Sequence, residues 1–286
     1  MIMPELPEVE ILVRHLRPLL RGKTIRGVEV RRAKILRPTT IREFKKVLRG
    51  AKITGLSRRG KYLLFGLRSK NSRKFPALLG HLGMTGRMFI SKKNGPLPRH
   101  AAVVFDLGRQ TFVYEDTRYF GRMTLDLSAV EKLGPEPLGA DFGPAAFARA
   151  LKRSRQAVKI KLLDQSLVAG VGNIYASEAL FRAGISPTRA AHRLTFPQVQ
   201  KLRLAIRKVL AGAIAGGSTV PLNFAGEKSD GLFYFGRAPG TPDFYEERLR
   251  VYDRAGKPCV NCRRPIKRIV QSARSTFYCP HCQNSR

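Results

Sequence analysis

Cys259-Val260-Asn261-Cys262 and Cys279-Pro280-His281-Cys282 hold all four cysteines of the chain, two C-x2-C pairs with sixteen residues between them. That spacing matches a tetrahedral site of four thiolates, and zinc is the ion it suits. Four thiolates leave no open position for a catalytic water, so Cys259, Cys262, Cys279 and Cys282 are expected to hold one structural Zn2+. Arg263, Arg264, Lys267, Arg268 and Arg274 stand between the pairs. A metal-stapled hairpin carrying that many cations is suited to a polyanion backbone. Thiols confined to metal-ligand spacing also fit a reducing compartment better than a disulfide scaffold.

The rest of the chain agrees with that partner. Its 286 residues carry 54 Lys and Arg against 20 Asp and Glu, a formal net charge of +34. The basic residues run through the whole length rather than forming one tail. Such a balance points to DNA, RNA or an acidic membrane surface, the plain alternative being a generally basic, solvated exterior. No apolar run approaches the roughly 18 residues of a spanning helix, so no membrane partner is expected. Glu5, Glu8 and Glu10 occupy the region where a secretory signal would be basic and then apolar, which favours a cytoplasmic location. With 43% hydrophobic residues, the chain has material for two cores.

Periodicity divides the chain. Residues 8–20 read as a helix with Pro7 at its start and Val9, Leu12, Val13, Leu16, Leu19 and Leu20 on one face. From about 24 to 127 short apolar runs alternate with turns: 53–56, 62–67, 77–82, 88–90, 102–107 and 111–114. Such spacing predicts an antiparallel sandwich or barrel. The Gly/Pro-rich stretch opening at Gly134-Pro135 reads as a linker. Helical periods follow at 145–153, 156–163, 173–183 and 196–214. The predicted class is α+β.

Two short motifs carry chemistry of their own. Pro4-Glu5-Leu6-Pro7-Glu8 is a helix entry with acids at the positive end of the dipole. Met3 precedes Pro4, however, and a start there followed by Met removal would free a secondary amine beside carboxylates. An α-amine is far more deprotonated at neutral pH than a lysine and can attack a sugar carbon to form a Schiff base, with Glu5 moving protons. The second motif, Gly170-Val171-Gly172-Asn173, is a glycine turn opening a helix; its N–H groups are expected to face a phosphate.

These motifs, with Arg59-Gly60-Lys61-Tyr62-Leu63, His81-Leu82-Gly83-Met84-Thr85-Gly86 and Arg118-Tyr119-Phe120-Gly121, occur in one order along nearly the whole chain. Together they resemble the formamidopyrimidine-DNA glycosylase and endonuclease VIII family of bifunctional DNA repair enzymes. The resemblance implies a catalytic β-sandwich domain with the first helix over 1–133 and a linker over 134–148. A helix–two-turn–helix DNA-binding domain would follow over 149–217, then a loop covering the flipped base over 218–248, and a zinc finger over 249–286. It implies a monomer acting on double-stranded DNA that contains oxidised bases or abasic sites, bound between the two domains, with no organic cofactor.

Residue by residue, Pro4 matches the nucleophile, Glu5 the general acid/base and Glu8 a supporting carboxylate. Lys61 matches the lysine that aids β-elimination, and Arg274 the finger arginine that grips phosphate and assists δ-elimination. His100, Arg118, Arg155 and Asn173 match DNA contacts. Met84, Arg118 and Phe120 match the trio that fills the gap left by an extruded base, a trio typical of the branch excising oxidised purines. The alternatives are an endonuclease VIII-like enzyme for oxidised pyrimidines, and a non-catalytic damaged-DNA-binding protein with Pro4 blocked. Two departures stand out. Met1-Ile2-Met3 lie ahead of Pro4, and the segment after Gly216-Gly217 lacks the family's Leu-Arg-Asp-aromatic pattern.

Overall fold

The computed structural model describes residues 4–68, 77–93, 95–217 and 249–284. They fall into two compact units: Pro4 with residues 8–131, and residues 5–7 with 132–217 and the segment from 249. The loop expected over 218–248 lies outside the described residues.

The first unit begins with α1 (Leu6–Leu20), which starts two residues earlier than the periodicity predicts. Glu8 sits in its first turn and Arg17 in its last, both favourable to the helix dipole. Val9, Leu12, Val13, Leu16 and Leu20 are buried, whereas Leu19 is 37% exposed and does not share their face. Strands β1 (Gly27–Val30), β6 (Ala101–Asp106), β7 (Gln110–Asp116) and β5 (Gly86–Lys92) form one antiparallel sheet in the order β1-β6-β7-β5. A second runs β2-β3-β4-β8, from β2 (Lys52–Arg59), β3 (Tyr62–Arg68), β4 (Ala77–His81) and β8 (Arg122–Thr124). Along β3, Leu63, Phe65 and Leu67 alternate inward and join Phe105, Phe112 and Met88 from the other sheet in one core. The result is the expected sandwich. β1, β8 and the helix α2 (Ile41–Leu48) have no counterpart among the predicted runs.

In the second unit, α4 (Pro144–Lys152), α5 (Val158–Leu162), α6 (Asn173–Ala183) and α7 (Phe196–Gly217) follow the predicted helical periods closely, after the short α3 (Ser128–Glu131) of the first unit. The stretch read as a linker is pinned to these helices. Gly134 N donates to Gln165 O, Ala169 N to Pro135 O, and the Arg207 guanidinium to Pro137 O and Gly139 O. Gln165 stitches the two turns between α5 and α6, donating to Leu163 O and Val171 O and accepting from Gly170 N. The hairpin β9 (Lys267–Gln271) and β10 (Arg274–Tyr278) closes the chain over a small core of Val251, Ile266 and Phe277.

Candidate active site

Pro4 is buried at the entrance to α1, and the segment just after it packs within the second unit. Leu6 N donates to Gly170 O, and Gly170 takes φ +83°, a conformation open to glycine. A Cβ there would stand 2.7 Å from Leu6 Cβ, so the close approach also needs glycine. The approach delivers Glu5 to the start of α6. Its carboxylate accepts from Gly172 N at 2.7 Å, Ile174 N at 2.8 Å and Tyr175 N at 3.3 Å. The helix has no capping side chain of its own, and Glu5 satisfies its orphan donors from outside. This corrects the phosphate reading of the glycine turn: these N–H groups face a carboxylate of the same chain. They hold Glu5, 2% exposed, in one orientation beside Pro4 in sequence.

Asn173 opens α6 and presents its side chain instead. Its Nδ2 donates to Ser275 O at 3.0 Å, and its Oδ1 accepts from the Lys159 ammonium. Lys159, fully buried, also donates to Thr276 Oγ1 at 2.7 Å and Ser275 O at 3.3 Å. Three acceptors use all three ammonium protons. Burial first, then repulsion from the Arg274 guanidinium, push the Lys159 pKa down to about 8, while Glu5 opposes the shift. The side chain of Tyr252 bonds to Asn173 and feels the charge of Glu5; burial raises its phenol. Thus α6, α5 and the finger hairpin meet around Asn173. Arg274, exposed at the start of β10, follows a Ser272-Ala273 turn with φ +47° and +59°. Two non-glycine residues in the left-handed region cost about 1–2 kcal/mol each.

Glu178, on the same helix, accepts from Arg250 N, Val251 N and Tyr252 N at 2.9 Å each. Burial raises its pKa against those three donors. It anchors the segment entering the finger. The four Sγ atoms lie within 4.8 Å of one another, with Cys259–Cys282 at 3.8 Å and Cys262–Cys279 at 3.4 Å. A tetrahedron with arms of about 2.3 Å has edges of about 3.8 Å, so the thiolates fit one zinc ion.

The first unit carries the remaining residues except Arg155, which belongs to the second. Lys61, 7% exposed, sits in the two-residue turn between β2 and β3. His81 at the end of β4 lies against Tyr62, ring centroids 4.7 Å apart. Burial, then the charges of Lys61 and Arg122, lower its pKa to about 4, so it is a neutral acceptor for Gly83 N at 3.1 Å. Glu8 is buried in α1. Met84, Arg118 and Phe120 come together: the guanidinium lies 4.9 Å from the Phe120 ring centre and 3.8 Å from Met84 Sδ. Phe120 is 55% exposed. His100 bonds to Tyr119 Oη at 3.3 Å, beside that trio in sequence. Arg155 is exposed between α4 and α5.

Lys159, Tyr252, Glu178 and His81 are absent from the sequence-derived site. Lys159 had a signal, a lysine among the apolar positions of α5, and His81 opens one of the quoted motifs; Tyr252 and Glu178 emerge only from tertiary packing.

Three family models match. The formamidopyrimidine-DNA glycosylase N-terminal domain covers residues 3–123, the H2TH domain of the same enzymes 133–223, and a zinc finger found in FPG and IleRS 256–284. Formamidopyrimidine-DNA glycosylase of Carboxydothermus hydrogenoformans is 40% identical over 98% of this chain and 100% of its own length. That of Thermus thermophilus is 42% identical over 98% of each. Among solved structures, Lactococcus lactis Fpg with abasic-site DNA superposes with a TM-score of 0.85 at 31% identity, covering 98% of this chain and 99% of the other. MutM in complex with DNA containing carbocyclic 8-oxo-G gives 0.84 at 32%, covering 98% and 100%. Across all three of its parts, this chain belongs to the formamidopyrimidine-DNA glycosylase family.

Proposed function

We propose that the protein is a base-excision glycosylase and AP lyase that removes oxidised purines, 8-oxoguanine and formamidopyrimidines, from duplex DNA. The observation that carries this reading is Glu5, adjacent to Pro4 and held by three N–H groups of α6. The Pro4 nitrogen attacks C1′, forming the N–C1′ bond as the glycosidic bond breaks, and the departing base takes up a proton. Glu5 gives a proton to O4′ as the C1′–O4′ bond breaks, which opens the sugar and leaves the Schiff base at C1′. Loss of a C2′ proton from the Schiff base expels the 3′ phosphate, and a second elimination expels the 5′ phosphate. Lys61 and Arg274 serve these two steps, with Glu8 supporting the site.

Met84, Arg118 and Phe120 fill the space of the extruded base. His100, Asn173 and Arg155 contact the DNA. Zinc, when bound, supplies a structural crosslink to the finger. The enzyme acts as a monomer at the nucleoid in the cytoplasm; among the described residues, no helix is long and apolar enough to cross a membrane.

A Schiff base requires a Pro4 nitrogen outside any peptide bond, so the acting chain must begin at Pro4. The test is borohydride trapping on an 8-oxoguanine duplex, comparing protein produced from Met3 with protein retaining Met1–Met3. A covalent adduct is expected from the first alone. No adduct from a folded Pro4-start protein removes the lyase reading, and faster turnover of thymine glycol than of 8-oxoguanine moves the enzyme to the pyrimidine branch.

A further inference from the structure

Met84 lies on the loop joining β4 to β5, and Arg118 and Phe120 on the loop joining β7 to β8. Nothing in the covalent chain couples these loops, yet their side chains must enter a duplex in one arrangement. The coupling comes from Asp116, the last residue of β7 and wholly buried. Its Oδ1 accepts from Thr85 Oγ1 at 2.6 Å and from Arg118 N at 3.2 Å; its Oδ2 accepts from Gly121 N at 2.8 Å. Thr85 Oγ1 in turn accepts from Arg118 N at 3.2 Å. One carboxylate therefore spans both loops and bonds on either side of Phe120.

The backbones press together at the same place. Gly83 has φ +62°, and a Cβ there would stand 2.6 Å from Gly121 N. Asp116 N also donates to His100 O at 3.1 Å, fixing a third loop to the same residue. Between Arg118 and Phe120, Tyr119 adopts φ +55°, an outlier for a bulky residue that persists only where its surroundings over-determine it. The bonds from Asp116 to Arg118 N before Tyr119 and to Gly121 N two residues after it supply that restraint.

We infer that Asp116 is a positioning residue that locks the two loops into one rigid wedge, so that Met84, Arg118 and Phe120 insert together. The inference rests on the wedge reading of those three residues. Asp116 touches none of the reacting atoms; its effect falls on base extrusion. Asp116→Asn puts an amide NH2 among three donors and leaves at least one without an acceptor. Thr85→Val deletes the bridging hydroxyl at nearly constant volume, and Thr85→Ser restores it.

The experiment follows unstacking by stopped-flow fluorescence of 2-aminopurine placed beside 8-oxoguanine in a duplex. Single-turnover excision from the same strand unpaired is measured in parallel, because an unpaired base needs less extrusion. Asp116→Asn and Thr85→Val are expected to slow the duplex reaction about tenfold or more, as small misplacements do, with a much smaller loss on the single strand. Thr85→Ser recovers the rate, and Phe120→Ala shares the duplex defect. Wild-type unstacking by folded Asp116→Asn and Thr85→Val, with Phe120→Ala slow, overturns the clamp and leaves the wedge standing. Equal losses on duplex and single strand also overturn it, since they mark general damage. Wild-type unstacking by Phe120→Ala removes the wedge reading and the clamp together. Should Asp116→Asn fail to fold, the two Thr85 variants decide alone.

Discussion

His81 shows how far a residue's chemistry is set by its surroundings. The sequence places it in a motif, but only the fold supplies burial and the charges of Lys61 and Arg122, which hold its pKa near 4. An unfolded histidine titrates near 6.5, so between those values the unfolded chain binds more protons. Stability is therefore full above pH 6.5 and falls as pH drops toward 4. His81→Asn keeps an acceptor for Gly83 N but cannot titrate, and its melting temperature is expected to vary less across that window. The difference amounts to on the order of 3 kcal/mol at the acid end.

Lys159 gives the same sign in a higher pH window. Its folded value near 8 lies below the usual 10.5, so stability relative to Lys159→Met rises with pH between those values. At pH 7 that variant takes the ammonium donor from Asn173 Oδ1 and Thr276 Oγ1, while Ser275 O keeps its bond from Asn173 Nδ2. Roughly tenfold weaker duplex binding is expected from losing a charge-assisted bond, read by fluorescence anisotropy. Binding equal to wild type would detach Asn173 from the interface. Glu5 stood out in the sequence as a candidate acid beside Pro4. The partners that hold it are some 167 residues away in the chain and did not.

Among the elements, helix periods in 145–214 and strand runs in 53–114 were readable because apolar spacing there is undisturbed. α2 was hidden by the strand-like punctuation on either side. A signal was present: Thr40 accepts from Glu43 N at 3.2 Å, and Thr40-Ile41-Arg42-Glu43 has the spacing of a capping box. β8 has three residues, too few for an alternating pattern. The latch of Glu178 on the segment entering the finger was also invisible, because its bonds run from one side chain to backbone. Glu178→Ala strips acceptors from three adjacent N–H groups. A loss of about 3 kcal/mol or more in urea unfolding is expected, whereas Glu178→Gln keeps one oxygen and loses less. Equal stability of both variants with wild type would mean that solvent already reaches this latch.

For the whole molecule, the charge of +34 announced a polyanion partner but not which cations meet it. Position in the sequence does not separate them either: Arg274 begins a strand in the finger, and Arg155 sits exposed in a loop of the helical part. Salt dependence does separate them. Each neutralised phosphate releases counterions, so log K falls with log salt by about 0.9 per contact. Arg274→Ala is expected to weaken binding and to flatten that slope by about one unit, because a contact and its released ions vanish together. If Arg155 meets phosphate, Arg155→Ala does the same; if it is solvated, the slope stays put while affinity changes only through the long-range field. An Arg274→Ala slope parallel to wild type would take that guanidinium off the backbone. The part proposed for it in the second elimination would then pass to another cation of the finger.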